Sequence, residues 1–179
     1  MDAFDVLGIA PAFDLDAKLL EQRYRDLQRQ LHPDKFVQAS AATRRESLSR
    51  AVGVNDAYRV LRDELKRAEA LFVRYGGDLS ERSTNQAEPE LLLEVMELRE
   101  ELAATKGSQD SAARERLTGE VQHKNALATE ALRQAFAALQ AGSASALPDA
   151  ARALSRLRYY RRFLDEVLVL ADLSDEALD

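Results

Sequence analysis

The chain has 179 residues, enough for one medium domain or two small ones, and its 46% apolar and 31% charged residues allow a buried core beneath a charged surface. Cysteine is absent, which excludes a disulfide, a thiolate nucleophile and any cysteine-ligated metal or iron–sulfur cluster held by the chain itself. Residues 1–76 carry 13 Lys and Arg against 12 Asp and Glu, and residues 77–179 carry 12 against 19; an acidic second half argues against a nucleic-acid binder, which needs a concentrated positive surface.

No run approaches the apolar length that spans a bilayer, and Met1-Asp-Ala-Phe-Asp5 lacks the basic and apolar regions of a signal peptide, so a cytoplasmic protein is expected. The two histidines, His32 and His123, form no paired-imidazole motif, and His123, between Gln122 and Lys124, reads as solvated. The seven glycines make no phosphate loop or nucleophile elbow. Enzymatic function has no support, and neither a metal nor a cofactor is expected.

In chain order, Asp2 caps a short helix over Ala3–Leu7 that Gly8 stops, and Pro11 and Asp14 turn the chain into a longer one. That helix starts at Asp16, with Leu15 placed to staple onto Leu20. Leu20, Tyr24, Leu27 and Leu31 recur at 4, 3 and 4 residues as one apolar stripe, while Lys18, Gln22, Arg25 and Arg29 repeat on the opposite side. One face is thus buried and the other offers three cations to a partner. Pro33 pushes His32 out of helical dihedrals and ends the helix, leaving His32 and Asp34 on a stiff exposed connection. A structural reading of the tripeptide is available, since His suits a helix C-terminus, Pro stops helices and Asp is an ordinary turn residue. Residues 37–42 read as irregular or weakly helical. A long helix then runs to about Arg62 with Ala51, Val54, Tyr58, Leu61 and Leu65 as its stripe, antiparallel to the basic helix because the loop between them is short. A further helix from Asp63 to Tyr75 halts at Gly76-Gly77.

Residues 78–88 hold one aliphatic side chain in eleven and read as the linker of a 77–88 boundary. Beyond it, helical segments at about 89–106, 110–141 and 148–173 are joined by short loops, which predicts an antiparallel three-helix bundle. Strand signals are missing throughout, so the fold class is all-α: a helical hairpin with flanking short helices over 1–76, and a bundle over 89–179.

The first bundle helix is over-supplied with apolar residues. Leu91, Val95, Leu98 and Leu102 form its core stripe; Leu92, Leu93 and Met96 are rotated away from it, where Glu97 and Glu100 also point. Three large apolar side chains rimmed by carboxylates read as a partner-docking face. The alternative is a helix buried on both sides.

His32-Pro-Asp-Lys35-Phe36 directly after a basic helix, followed by Asn55-Asp-Ala-Tyr58-Arg-Val-Leu61, resembles the J-domain, the module that stimulates ATP hydrolysis by chaperones of the DnaK type. With Asp26-Leu-Gln-Arg-Gln30, Arg67-Ala-Glu-Ala-Leu71 and Glu97-Leu-Arg-Glu-Glu-Leu102 added, nearly the whole chain is similar to the HscB family of iron–sulfur cluster biogenesis. That resemblance implies a chaperone-binding set of Lys18, Arg25, Arg29, His32, Pro33, Asp34 and Lys35 facing an HscA-type chaperone. It implies a scaffold-binding set of Leu92, Leu93, Met96, Glu97, Glu100 and Tyr159 facing an IscU-type scaffold, with no catalytic residue in the chain. Where the family continues the acidic helix, this chain has Ala103-Ala104-Thr105, and Arg156, Arg158, Arg161 and Arg162 surround Tyr159-Tyr160. A monomer is expected, with weak self-association open to the outward Leu92, Leu93 and Met96. A general J-domain co-chaperone for unfolded polypeptides is the nearest rival, but it would ordinarily add glycine-rich or cysteine-rich modules that are missing here.

Overall fold

A computed structural model describes residues 2–80, 89–108 and 111–176, with side chains described except at 106–108, 111 and 170–176. The chain divides into two compact units, Met1–Gly76 and Gly77–Asp179. Of the expected linker, 81–88 lie outside the described residues. All regular structure described is helical.

The first unit holds α1 (Ala3–Leu7), α2 (Ala17–Gln30), a 3₁₀ turn (Pro33–Phe36), α3 (Ala41–Arg62) and α4 (Glu64–Arg74). Each start has a local cause. The Asp2 carboxylate accepts the Asp5 amide and Asp5 returns the bond, a capping box, and Gly8 closes α1 at φ 62°, a left-handed value that favours glycine. Asp16, Ser40 and Asp63 cap α2, α3 and α4 through side-chain oxygens. Arg74 reaches from the end of α4 to the carboxylates of Asp2 and Asp5, tying the last helix to the first. Phe4, Leu7, Phe13, Leu20, Leu61 and Leu71 lie in its core.

Two polar contacts set the α2–α3 hairpin. Tyr24 and Tyr58 stack with ring centres 4.1 Å apart, and the Tyr24 hydroxyl and the Gln28 amide both donate to Asn55 Oδ1, at 3.0 and 2.9 Å. Behind them the half-buried Arg67 donates to the carbonyls of Phe13 and Leu61, each at 2.7 Å, with its guanidinium over the Phe13 ring; burial lowers its pKa. Arg67 thereby holds the loop before α2 against the end of α3.

The second unit is the three-helix bundle α5 (Pro89–Ser108), α6 (Ser111–Gln140) and α7 (Leu147–Glu176), with a short 3₁₀ turn (Ala144–Ala146) before α7. Helix α5 runs through Gly107, where the sequence reading had ended it, and α6 and α7 are each 30 residues long. The expected stripe of Leu91, Val95, Leu98 and Leu102 is buried, with Thr105 continuing it. Val95 and Leu98 lie beside Tyr160 and Phe163 of α7, and Leu117 and Val121 of α6 and Val167 of α7 are likewise below a tenth exposed.

Candidate functional site

The tip after α2 is built by its own backbone. His32, with φ −58° and ψ 133°, takes the extended conformation that a following proline imposes, and its Nδ1 accepts the Asp34 amide at 3.3 Å. Lys35 N–H closes the turn on the His32 carbonyl at 3.0 Å. The stiff connection expected here is one turn of 3₁₀ helix. The side chains stay outside: His32 is 59% exposed and Asp34 85%, with Oδ2 3.4 Å from His32 Nδ1. A donor, an acceptor and a fixed backbone are presented together at the surface. The arrangement suits recognition by another surface, and it holds nothing that would activate a nucleophile.

Ser47 is the residue here that sequence reasoning missed. It is buried on α3, and its hydroxyl donates to the Leu31 carbonyl at 3.3 Å, at the end of α2 beside His32. The signal would have been a serine breaking the apolar side of a helix opposite a helix C-terminus, whose last carbonyls lack helical partners.

The cations of α2 differ from the expected open strip. Arg25 pairs with Glu21 and Arg29 with Asp26, both along the helix, so a partner must compete with a carboxylate already in place. Both guanidinium groups remain well exposed, at 68% and 75%. Lys18 and Lys35 are exposed, and Lys18 has no ion pair among the described residues.

On the second unit Leu92, Leu93 and Met96 are 43%, 62% and 59% exposed, so within the bundle α5 is covered on one side only. Glu97 and Glu100 are exposed beside them. Tyr159 is half-buried and lines a shallow recess with Val95, Leu98, Arg99, Arg162 and Phe163. At 100° per residue Leu92 lies about 20° from Arg99 around α5, so Tyr159 shares the flank on which Leu92 sits. Glu97 falls on the opposite flank. Of the arginines near Tyr159, Arg162 lies 3.6 Å from Glu166 on its own helix, and Arg99 reaches the same carboxylate from α5 at 3.4 Å.

Next to this face a polar knot fastens α5. Glu94 accepts Lys124 Nζ at 2.9 Å and the buried Tyr160 hydroxyl at 2.9 Å. Burial alone would raise the Glu94 pKa, but the bonds from Lys124 and Tyr160 outweigh it and hold the carboxyl below its usual range; the same pair raises Lys124. Burial and the Glu94 carboxylate push the Tyr160 phenol up to about 12. Among the described residues no group of His, Asp and Glu could hold a metal ion.

Comparison with known proteins covers both units. Residues 2–70 match the DnaJ domain model, and 87–168 match a model described as the HSCB C-terminal oligomerisation domain. A co-chaperone protein HscB homolog from Shewanella sp. (strain ANA-3) is 33% identical over 172 residues, covering 96% of this chain and 98% of that protein. The chain belongs to the HscB family of co-chaperones. An HscB homolog from Vibrio atlanticus is 44% identical over 110 residues, an alignment that spans 62% of this chain and 64% of the relative, just under two thirds of its length. HscB from Vibrio cholerae superimposes with a TM-score of 0.77 at 31% identity, over 97% of this chain and 99% of the other. Human co-chaperone HscB gives 0.82 at 28% identity, over 94% and 81%. The first unit is therefore a J-domain, and the chain is a member of a co-chaperone family. No helix among the described residues is long and apolar enough to cross a membrane.

Proposed function

We propose that this HscB-family chain is a two-faced adaptor that performs no chemistry of its own. Lys18, Arg25, Arg29 and the His32-Pro33-Asp34-Lys35 turn engage a DnaK-type chaperone of the HscA kind and stimulate its ATP hydrolysis. Leu92, Leu93, Met96, Glu97, Glu100 and Tyr159 hold an IscU-type iron–sulfur scaffold, which the chain delivers to that chaperone in the cytoplasm. The observation that carries the reading is the exposure of both faces: the polar His32 and Asp34 side chains on the J-domain, and three large aliphatic side chains left in water on the bundle. Burying each of those three on a partner is favourable by about 1.5–3 kcal/mol before association costs, which suits a transient hand-over. Carrying both contacts on one chain turns a dilute encounter between chaperone and scaffold into a local one.

Single-turnover ATPase measurements on an HscA-type chaperone, together with calorimetric titration of an IscU-type scaffold, test this reading. His32→Gln abolishes the stimulation and leaves scaffold affinity unchanged. Replacing Leu92, Leu93 and Met96 together by Ala weakens scaffold binding by roughly tenfold or more with the helical circular dichroism intact. Stimulation retained by His32→Gln would remove the chaperone assignment, and unaltered scaffold affinity in the triple variant would move the docking face elsewhere.

A further inference from the structure

The outward side of α5 is polarised by charge. Counting about 100° per residue, the exposed Glu90, Glu97, Glu100 and Glu101 fall within an arc of about 100° that runs from the outermost line of the helix to the flank away from Tyr159. Met96 and Leu92 come next around the helix, and Arg99 follows about 100° from Glu100, on the flank that Tyr159 shares. The ridge of Leu92, Leu93 and Met96 therefore has carboxylates along one side and a guanidinium along the other.

Helix α7 adds to the basic side. Arg162 lines the same shallow recess as Arg99 and Tyr159. Both arginines approach a single carboxylate oxygen: Arg99 Nη2 lies 3.4 Å and Arg162 Nε 3.6 Å from Glu166 Oε1. Two positive charges thus share one negative charge, and neither arginine has another ion pair among the described residues. One turn beyond Arg99, Ala103 supplies no further carboxylate. Both contacts are long and both groups are wet, with Arg99 51% and Arg162 76% exposed, so most of the donor fork on each guanidinium is unused. The Tyr159 hydroxyl, between them, makes no hydrogen bond among the described residues. Even with Glu166 in place the cluster keeps one net positive charge, which water screens in the free chain and a docked surface would leave unscreened.

We infer that Arg99, Arg162 and Tyr159 form the receptor for a carboxylate of the scaffold protein, and that this contact fixes which way round the scaffold lies across the aliphatic ridge. The role presupposes the scaffold contact proposed above and adds to it the charge that orients it. An incoming carboxylate accepts two parallel N–H bonds from either guanidinium, in better geometry than the long contacts that Glu166 makes. On the far side of the ridge, Glu97 and Glu100 receive a base of the same partner. A scaffold laid across the ridge in the reverse sense would bring acid against Glu97 and Glu100 and base against Arg99 and Arg162, and like charges brought together in this way cost binding energy. The apolar residues thus supply affinity, and the two unlike flanks select one orientation.

Calorimetric titration of an IscU-type scaffold into the full chain measures the contact, with circular dichroism reporting that the bundle is folded. Arg99→Gln combined with Arg162→Gln lowers scaffold affinity roughly tenfold and reduces its dependence on salt. Glu166→Gln distinguishes a receptor from a structural tie. If Glu166 serves only to fasten α7 to α5, its loss leaves scaffold affinity unchanged or lower, whereas freeing both arginines for the partner raises affinity about two- to threefold. Arg162→Glu weakens binding more than Arg162→Gln, and changing one Asp or Glu on the scaffold surface to Lys restores it, which identifies the carboxylate. Unaltered affinity in the arginine double variant, or unchanged or weaker binding by a folded Glu166→Gln chain, overturns the proposal. Binding that is lost on replacing Leu92, Leu93 and Met96 but indifferent to the arginines leaves the scaffold reading standing and removes this role alone. A wild-type chain that binds no scaffold removes both.

Discussion

His32, Ser47 and Tyr160 are held in three different ways. His32 is held by Pro33 and by the Asp34 amide, so its imidazole would meet the proposed chaperone partner with less conformational entropy to lose. Ser47 satisfies the Leu31 carbonyl from inside the fold. Ser47→Ala leaves that carbonyl without its partner, and chemical denaturation of the first unit should show a loss of about 1–3 kcal/mol. Tyr160 makes the opposite kind of bond, a phenol donating to a carboxylate that lysine also neutralises. Its folded pKa lies near 12, above the ordinary value of 10.0, so the neutral phenol is favoured by folding. The stabilisation is therefore fully present below pH 10 and is lost as pH rises through about 12. In an ultraviolet titration of the five tyrosines, Tyr160→Phe should remove the phenolate component with the highest midpoint. Removal of a component near 10 would show that Tyr160 does not bond to Glu94 in solution.

Individual helices face two demands here, and α2 and α5 answer them differently. Helix α2 separates its faces cleanly, and its cations are held ready on intrahelical pairs with Glu21 and Asp26. Such pairs stabilise a helix by only about 0.3–0.5 kcal/mol, so an acidic partner can displace them cheaply. Helix α5 carries large aliphatic residues on both sides, and only one side is covered. Leu91, 1% exposed, and Leu93, 62% exposed, are two residues apart on one helix and should respond oppositely to truncation. Leu91→Ala should cost about 2–5 kcal/mol of bundle stability in thermal or denaturant unfolding, whereas Leu93→Ala should stay within about 0.5 kcal/mol. Equal losses at the two positions would mean that α5 turns a different face to the core.

For the molecule as a whole, the charge difference noted at the outset bears on the two proposed contacts. The first unit is nearly balanced, with Lys18, Arg25 and Arg29 exposed along α2, and the second is acidic, with Glu97 and Glu100 exposed beside Leu92, Leu93 and Met96. The two contacts should therefore answer salt differently, since exposed charges are screened beyond a Debye length of about 8 Å at physiological ionic strength. Raising salt should weaken chaperone stimulation, mainly by slowing encounter, while the aliphatic share of scaffold binding persists. Stopped-flow association with each partner over a salt series would measure this, and equal salt slopes would count against a division of labour between the units.

Much of this was legible in the chain alone, for reasons of period and punctuation. The four-three spacing of Leu20, Tyr24, Leu27 and Leu31, the caps Asp2 and Asp16 and the stop at Pro33 are local instructions, and local hydrogen bonding obeyed them. The outward turn of Leu92, Leu93 and Met96 followed from helical geometry once Leu91, Val95, Leu98 and Leu102 were read as core. Contacts between residues far apart in sequence leave no periodic trace, so the Ser47 bond to Leu31, the Arg67 clasp on Phe13 and Leu61 and the Glu94–Lys124–Tyr160 knot came only with the packed structure. Sequence also proposed two possible surroundings for α5, and only the folded bundle showed which side its own helices cover: whether an amphipathic residue is covered depends on which helices reach that far, and α6 and α7 lie along one side of α5 alone.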